Sequence, residues 1–388
     1  MDFSKKEMQR RFAGLDAIMH KHDLNGVIIM GDTVVNAPFI NFSQRYFTQN
    51  NLIESFQILF CIKDSEPILI CAGPLQYEAN KERSQIQNCT MSANQIAKVV
   101  EIMRDNNLCA GRIGCTLDMI PASWYIELQE ELPELQLVEI NKDITALHYL
   151  RSNEEIEKAK TSASIADKAY THVLPAIKVG MSEYEVAAEI DYVTNRLGAS
   201  KNFTLIVSGA ENEILSNGIL KIYPASKRLL KDNDTVIFEI SPQFDGYWTQ
   251  LLRTVCIAEK PSPVTEALHR VCVDAINGSL SRITPGAAVS DIWGNMNEYV
   301  ASHGFSLIGP IGHVASVDLV DDRLAATNTR ALNWGETLII HPCVGTKDNN
   351  HCFLWGQTYL VTENGAISLN NSSDDFICVS GNQQRGNG

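Results

Sequence analysis

The stretch FEISPQFDGYWTQLLRT, residues 238–254, reads as strand, turn and strand. Its inward positions carry an acid, an amide and a cation: Glu239, Gln250 and Arg253. A carboxylate inside an apolar strand is costly unless paired, so Glu239 needs a structural partner or a ligand. As a site residue it would anchor a cationic group or exchange a proton. Gln250 is an uncharged hydrogen-bonding group suited to orienting a polar substrate. Tyr247 and Trp248 are core-type side chains, although Trp248 can also stack on a flat cation.

Two histidines add imidazole chemistry. His313 follows Gly312 at the end of an apolar strand, and His341 lies within LIIHPCV. An imidazole near neutral pH suits a general base or an oxyanion donor. Cys343 is two residues beyond His341, which predicts one shared strand face. Side chains so placed are poorly arranged for proton transfer, so a Cys343 nucleophile is disfavoured.

The elements that must hold these groups are legible in the hydrophobic pattern. Residues 1–150 predict a small α/β domain: a helix over Lys5 to His22, strands in GVIIM, ESFQILFCI, EPILICA and RIGCT, and helices at Asn94–Asn106 and near Ser123–Leu132. The sequence then changes character at LRSNEEIEKAK, where Ser152 and Glu155 form a capping box, so a second domain is predicted over 151–388. That domain holds an internal repeat of helix, helix and strand. Each copy has a Gly before a polar N-cap (Ser182, Ser290), an amphipathic helix, a terminal Gly (Gly198, Gly304) and an apolar strand. A pocket is expected on the pseudo-symmetry axis, and the tail SGNQQRGNG is expected to fray.

Composition narrows the partners. A formal charge of −14 over 388 residues argues against nucleic acid or an anionic membrane. No apolar run is long enough for a bilayer span, and MDFSKKEMQRRF lacks a signal-peptide core, which predicts a soluble cytoplasmic protein. The ten cysteines include no CxxC pair and mostly sit in apolar runs, which predicts buried reduced thiols and no zinc knuckle.

In order and spacing, SGAEN, KDNDTVIFE, FDGYWTQLLRT, the IGH turn at 311–313, LNWGETLIIHP and TYLVTENG resemble the creatinase/aminopeptidase P/methionine aminopeptidase superfamily. The resemblance covers nearly the whole chain. It implies an α+β architecture: a C-terminal pita-bread domain with a smaller creatinase-type N-terminal domain. Peptidases of the family hold two metal ions on two Asp, one His and two Glu. Those positions fall here on Glu239, Gln250, His313, His341 and Gly356, so only His313 is the expected residue. Two dications need several carboxylates, and one remains, so no metal and no cofactor is expected. The family also contains metal-free creatinase and ectoine hydrolase. The creatinase catalytic His falls near Asn217, its hairpin Glu on Leu252 and a further carboxylate on His341, so its substrate does not carry over. The RT pair at Arg253 is shared across the family, which implies a structural Arg253. In creatinase-like dimers the N-terminal domain reaches the partner's pocket, so Arg45 becomes a candidate for a substrate carboxylate.

The expectation is a metal-independent, creatinase-like hydrolase cleaving a C–N bond in a small polar metabolite. His313, His341 and Glu239 are the catalytic candidates; Gln250, Trp248, Tyr247, Asn217 and Arg45 are the binding candidates. A homodimer is expected, with no nucleic-acid or membrane partner. The alternatives are a lyase, a single-metal enzyme using Gln250, His313 and His341, and a non-catalytic binding module.

Overall fold

A computed structural model describes residues 3–31, 43–49, 57–210, 213–216 and 219–379. The chain divides into two compact units, Met1–Tyr149 and Leu150–Gly388. The first runs α1 (Lys5–Lys21), β1 (Gly26–Gly31), α2 (Ser43–Thr48), β2 (Gln57–Ile62), β3 (Ile68–Cys71), α3 (Pro74–Arg83), β4 (Cys89–Met91), α4 (Gln95–Asp105), β5 (Arg112–Cys115), α5 (Ala122–Glu131), β6 (Gln136–Glu139) and α6 (Asn141–Tyr149). Its sheet has the order β4-β3-β2-β1-β5-β6. The central strands β1 and β2 are buried at every residue, as a sheet covered on both faces requires. Asn94 caps α4 through a 3.0 Å bond from Ala97 N, and Asp64 takes a positive φ in the turn between β2 and β3.

The second unit opens with α7 (Asn153–Val173), α8 (Glu183–Arg196) and β7 (Lys201–Gly209). The short strands β8 (Leu215–Ser216), β9 (Ile219–Leu220) and β10 (Tyr223–Pro224) follow. Then come β11 (Thr235–Phe244), β12 (Tyr247–Trp248) and β13 (Leu251–Cys256). The second half contributes α9 (Pro263–Ser279), α10 (Val289–Ser302), β14 (Ser306–Ile308), β15 (Gly312–Val314), β16 (Asp322–Arg323), β17 (Thr337–Ile340), β18 (Cys343–Gly345), β19 (Cys352–Leu354), β20 (Gln357–Thr362), β21 (Gly365–Ser368) and β22 (Ile377–Cys378). One sheet runs β10-β7-β11-β13-β22 and another runs β16-β15-β17-β20-β21. A bridge between Leu252 and Gly356 joins them, each residue's N–H donating to the other's carbonyl at 2.9 and 3.2 Å.

The predicted repeat is present in the backbone. Gly180 and Gly286 take φ of 85° and 87° before α8 and α10; Gly198 and Gly304 take 89° and 86° after them. Only glycine reaches these values without strain, which is why both copies carry it. The match extends into the strands. Arg228 forks onto Asp234 at 2.6 and 3.0 Å, and Arg330 forks onto Glu336 at 2.8 and 2.9 Å. Each acid also accepts a backbone N–H three residues before it, from Lys231 and from Asn333. Thr254 Oγ1 donates to Leu354 O, and Thr358 Oγ1 donates to Gln250 O. In this register Val236–Glu239 corresponds to Leu338–His341, and Leu252 corresponds to Gly356. The pseudo-twofold axis therefore passes through the Leu252–Gly356 bridge.

Three local expectations need correction. Ser182 caps α8 with a capping box to Glu185, but Ser290 lies inside α10, whose N-cap is Ala288 without a side-chain bond. LIIHPCV is not one strand: β17 ends at Ile340 and β18 begins at Cys343 in a different sheet. Pro342 supplies no N–H for a continuous ladder. His341 and Cys343 are therefore not neighbours on one strand face. Arg253 also does not share the inward face of Gln250. It pairs with Phe238 in register and lies over the Trp355 ring at 4.3 Å. Its guanidinium donates to Gly356 O and Gln357 Oε1, so it is a buried structural cation.

Candidate active site

The two faces of β11 have different fates. Val236, Phe238 and Ile240 pack into an apolar cluster with Ala166, Tyr170, Val186 and Ile190 of α7 and α8. The alternate residues Ile237, Glu239 and Ser241 face the other way, as the period of two dictates. Ile237 and Leu252, the register partner of Glu239, belong to a second cluster with Val207, Trp248, Ala315, Ile339 and Leu354. His313 lies opposite Ile339 and two residues before Ala315, so it fronts the same cluster. Glu239 and His313 thus flank one apolar face from the two halves of the unit.

Two polar pairs sit there. Gln250 Nε2 donates to Glu239 Oε2 at 2.9 Å and to Ser241 Oγ at 3.0 Å. The His313 and His341 rings meet edge to face, with centroids 5.2 Å apart and planes at 70°. Glu239, Gln250 and His313 are buried; His341 is half-buried, but both of its ring nitrogens are shielded. Among the described residues, Gln250 Oε1, His313 Nδ1, both His341 nitrogens and Trp248 Nε1 have no hydrogen-bond partner. Buried polar atoms are rarely left so without a ligand or water to serve them.

Burial controls the charge. It pushes the Glu239 carboxyl up to about 7, against a smaller opposing effect of the Gln250 hydrogen bond. Burial also pulls His313 down to about 3, with the neighbouring His341 adding to the fall. His341 drops to about 4, again mainly through burial. At neutral pH both imidazoles are uncharged, and Glu239 is the group divided between its acid and base forms. In the ligand-free protein the imidazoles are thus weak bases, and the carboxyl is the group poised near 7.

Gly356 bears on whether the site can hold two metal ions. A Cβ on Gly356 would lie 2.1 Å from Ile340 O and 2.6 Å from both Cα and Cβ of His341. The backbone turning at His341–Pro342 fills the place that a side chain at 356 would need. A carboxylate at that position is thus closed off sterically as well as absent. With Gln250 neutral and His341 an imidazole, the residues do not fit a dinuclear centre.

Gly312 positions His313. Its φ is 143°, and a Cβ there would come within 1.9 Å of Ile339 O, so only glycine lets β15 approach β17 at this point. Trp248 is buried in the apolar cluster, and its backbone N–H donates to Ser316 O at 2.9 Å. Tyr247 does not join the group: its hydroxyl donates to Glu155 Oε1 at 2.7 Å, which commits it to α7. Cys343 packs at the edge of the apolar cluster. Asn217 and the tail SGNQQRGNG lie outside the described residues. Arg45 is in the last turn of α2, in the first unit; its neighbour Tyr46 is core, under the Arg11 guanidinium. Ser241, which accepts from Gln250 Nε2, is a neighbour of the site that the sequence analysis did not single out. Ser241 was accessible, being two residues beyond Glu239 on the same face.

Comparison with known proteins places this architecture. Residues 157–363 match the model of metallopeptidase family M24, and residues 11–148 match the creatinase/prolidase N-terminal domain. The chain is similar to the Xaa-Pro dipeptidase of Pyrococcus furiosus, 21% identical over 82% of this chain and 88% of that one. It is similar to the creatinase of a Bacillus species at 24%, over 78% of this chain and 72% of that one. It shares its fold with the solved Xaa-Pro dipeptidase from Bacillus anthracis, at a TM-score of 0.82, 18% identity and coverage of 96% and 99%. The α+β architecture is thus the pita-bread fold with a creatinase-type N-terminal domain, and the chain belongs to metallopeptidase family M24, as a hydrolase of that type.

Proposed function

We propose that the second unit hydrolyses a C–N bond of the amide, amidine or guanidino kind in a small polar molecule, without a dinuclear metal centre. The observation that carries this reading is the closure of position 356 beside a buried Glu239 that titrates near 7. In this reading Glu239 moves the proton between water and the leaving nitrogen, for which a pKa near the working pH is the favourable value. Gln250 holds one carboxyl oxygen of Glu239 through its Nε2, and its own Oε1 is left to accept from a substrate N–H. The uncharged imidazoles of His313 and His341 hydrogen-bond the carbonyl or imine end and take no net charge in the resting state. The apolar surround of Ile237, Trp248, Leu252 and Ile339 excludes bulk water and strengthens each of these contacts.

The test is a mass-spectrometric time course of wild type and Glu239→Gln on a panel of amides, amidines and guanidino compounds. Turnover by wild type and its loss in the variant support the reading. A ligand that binds and emerges chemically intact points to a binding module instead.

One observation favours a second reading. Both nitrogens of His341 and Nδ1 of His313 lack hydrogen-bond partners on rings whose centroids are 5.2 Å apart, and two neighbouring imidazoles can serve as ligands of a single ion. Elemental analysis separates the two: one tightly held equivalent selects the single-ion reading. Homodimerisation, with Arg45 reaching the other copy's site, completes the proposal. A monomer by light scattering at micromolar concentration removes Arg45 from it.

A further inference from the structure

Among the described residues, β22 is fastened to β13, the strand that follows Gln250, by two register pairs, Val255–Ile377 and Cys256–Cys378, in parallel arrangement. The second pair sets two thiols against each other with Sγ atoms 2.7 Å apart, nearer than unbonded sulfurs pack. Val379 N donates to Cys256 O at 2.8 Å, so the backbone on both sides of the pair is held in register. Neighbouring strands lie about 4.8 Å apart, inside the Cα separation of roughly 4.4–6.8 Å that a disulfide spans. The bridge therefore needs no movement of either strand.

Access is provided as well. Cys378 is half-buried, and Cys256 lines a cavity of about 620 Å³ together with Thr235, Lys260, Ser262 and Asn350. A small reagent can reach the pair from that side. By contrast, burial pushes the thiols of Cys61, Cys115 and Cys272 upward and leaves them poor nucleophiles.

We infer that Cys256 and Cys378 form a reversible disulfide that locks the C-terminal strand onto the site-bearing sheet. The oxidant is a low-molecular-weight disulfide. One protein thiolate attacks a sulfur of the reagent and expels one small thiol. The second protein thiolate attacks the resulting mixed disulfide and expels the other. Two protein thiols are oxidised, the reagent is reduced to two thiols, and the two protons pass to them. The locked segment matters because residues 370–376 are tied to α7 and α9. Asp167 accepts from Asn371 N at 2.8 Å and from Ser372 Oγ at 2.5 Å, and the His269 ring meets Asp374 O at 2.8 Å.

The full chain is incubated with glutathione disulfide, then denatured, alkylated and mapped by mass spectrometry, with limited proteolysis run in parallel. The expected result is a fall of two in the ten alkylated thiols, a linked Cys256–Cys378 peptide, and slower cleavage of the C-terminal segment, all reversed by dithiothreitol. Cys378→Ser should abolish the link and the protection. Full alkylation of both cysteines after treatment, or a link between another pair such as Cys343 and Cys352, overturns the inference. A Cys256–Cys378 link that leaves the cleavage rate unchanged overturns the locking role.

Discussion

The two halves of the second unit are built on one frame and hold different chemistry in it. Arg228 with Asp234 and Arg330 with Glu336 fasten equivalent strand entries, and Thr254 and Thr358 close equivalent carbonyls. Five residues beyond each acid the equivalent positions carry Glu239 in one half and His341 in the other. The neighbouring strand supplies Val207 to the first half and His313 to the second, through the register pairs Ile237–Val207 and Ile339–His313. On the axis itself Leu252 keeps its side chain, while Gly356 has none and has no room for one. The frame is thus independent of the chemistry. Charged forks and hydroxyl-to-carbonyl bonds fix where the two inward positions lie. What stands in them differs between the halves, a carboxyl at Glu239 and an imidazole at His341.

The largest effect expected from breaking this asymmetry is on turnover. Glu239→Gln keeps the shape and a hydrogen-bonding group but cannot exchange a proton. General acid–base groups contribute a factor of roughly 10² to 10⁴, and a loss of that size in kcat is expected. His341→Ala removes the equivalent residue of the other half and should act mainly on KM if the imidazole only orients substrate. Initial rates on whichever substrate the panel identifies separate the two. Equal kcat losses in both variants would mean that the imidazole also transfers a proton.

Next in size is the axis. Gly356→Ala places a methyl group against Ile340 O and His341, backbone that cannot move without parting β17 from β20. A destabilisation of about 3 kcal/mol is expected, the upper end of what overpacking a core costs. Leu252→Ala, at the equivalent position, removes buried methyl groups and should cost about 2–5 kcal/mol with the backbone intact. Urea denaturation measures both. The sharper comparison is structural, since only the glycine variant should disturb the His313–His341 ring contact.

The pattern of what was legible follows from the range of each interaction. The Ser152–Glu155 capping box and the paired glycines at 180, 198, 286 and 304 depend on a few adjacent residues, so the sequence discloses them. The inward face of Glu239 follows from a period of two. Tyr247 bonds Glu155, 92 residues away, and no local pattern announces that pair. The closure at Gly356 depends on how a different strand bends at Pro342. The protonation state of the two imidazoles was not legible for a related reason. Whether a histidine titrates near 6.5 or near 3 is set by the burial that the whole fold imposes.

Acidity gives a third comparison between the halves, with opposite signs. Glu239 has a folded pKa of about 7 against an ordinary 4.5, so its proton is bound more tightly in the native state. Stability is fully present below pH 4.5 and is lost as pH rises through 7. At roughly 1.4 kcal/mol per pKa unit, the loss totals about 3 kcal/mol. The histidines oppose it. Their folded pKa values lie below 6.5, so stability is present above that pH and is lost as pH falls through about 4 and then about 3. Glu239→Gln should therefore be more stable than wild type at pH 8 and gain little at pH 5. Denaturation midpoints at the two pH values check this. Equal gains at both would place the Glu239 titration outside the interval.

The smallest effect lies far from the chemistry, at the helix that opens the last turn toward each strand. Ser182 caps α8, its Oγ accepting from Glu185 N at 3.2 Å, while the Ser182 N–H donates to Glu185 Oε2 at 2.7 Å. Ala288 holds the same place before α10 in an extended conformation, φ −76° and ψ 135°, which a capping residue adopts, but it has no oxygen to offer. Asp291 stands three residues on, where Glu185 stands in the first half. The second copy thus has the backbone and the acid of a capping box and lacks only the hydroxyl. Ser182→Ala should lower stability by about 1 kcal/mol, and Ala288→Ser should raise it by about 0.5–1 kcal/mol, with turnover unchanged in both. Urea midpoints of the two variants and of the double variant measure the difference. If Ala288→Ser gives no gain, the bridge from Ala288 to Ala331, which the first half matches with Ser182 to Leu229, already holds that turn and the hydroxyl adds nothing to it.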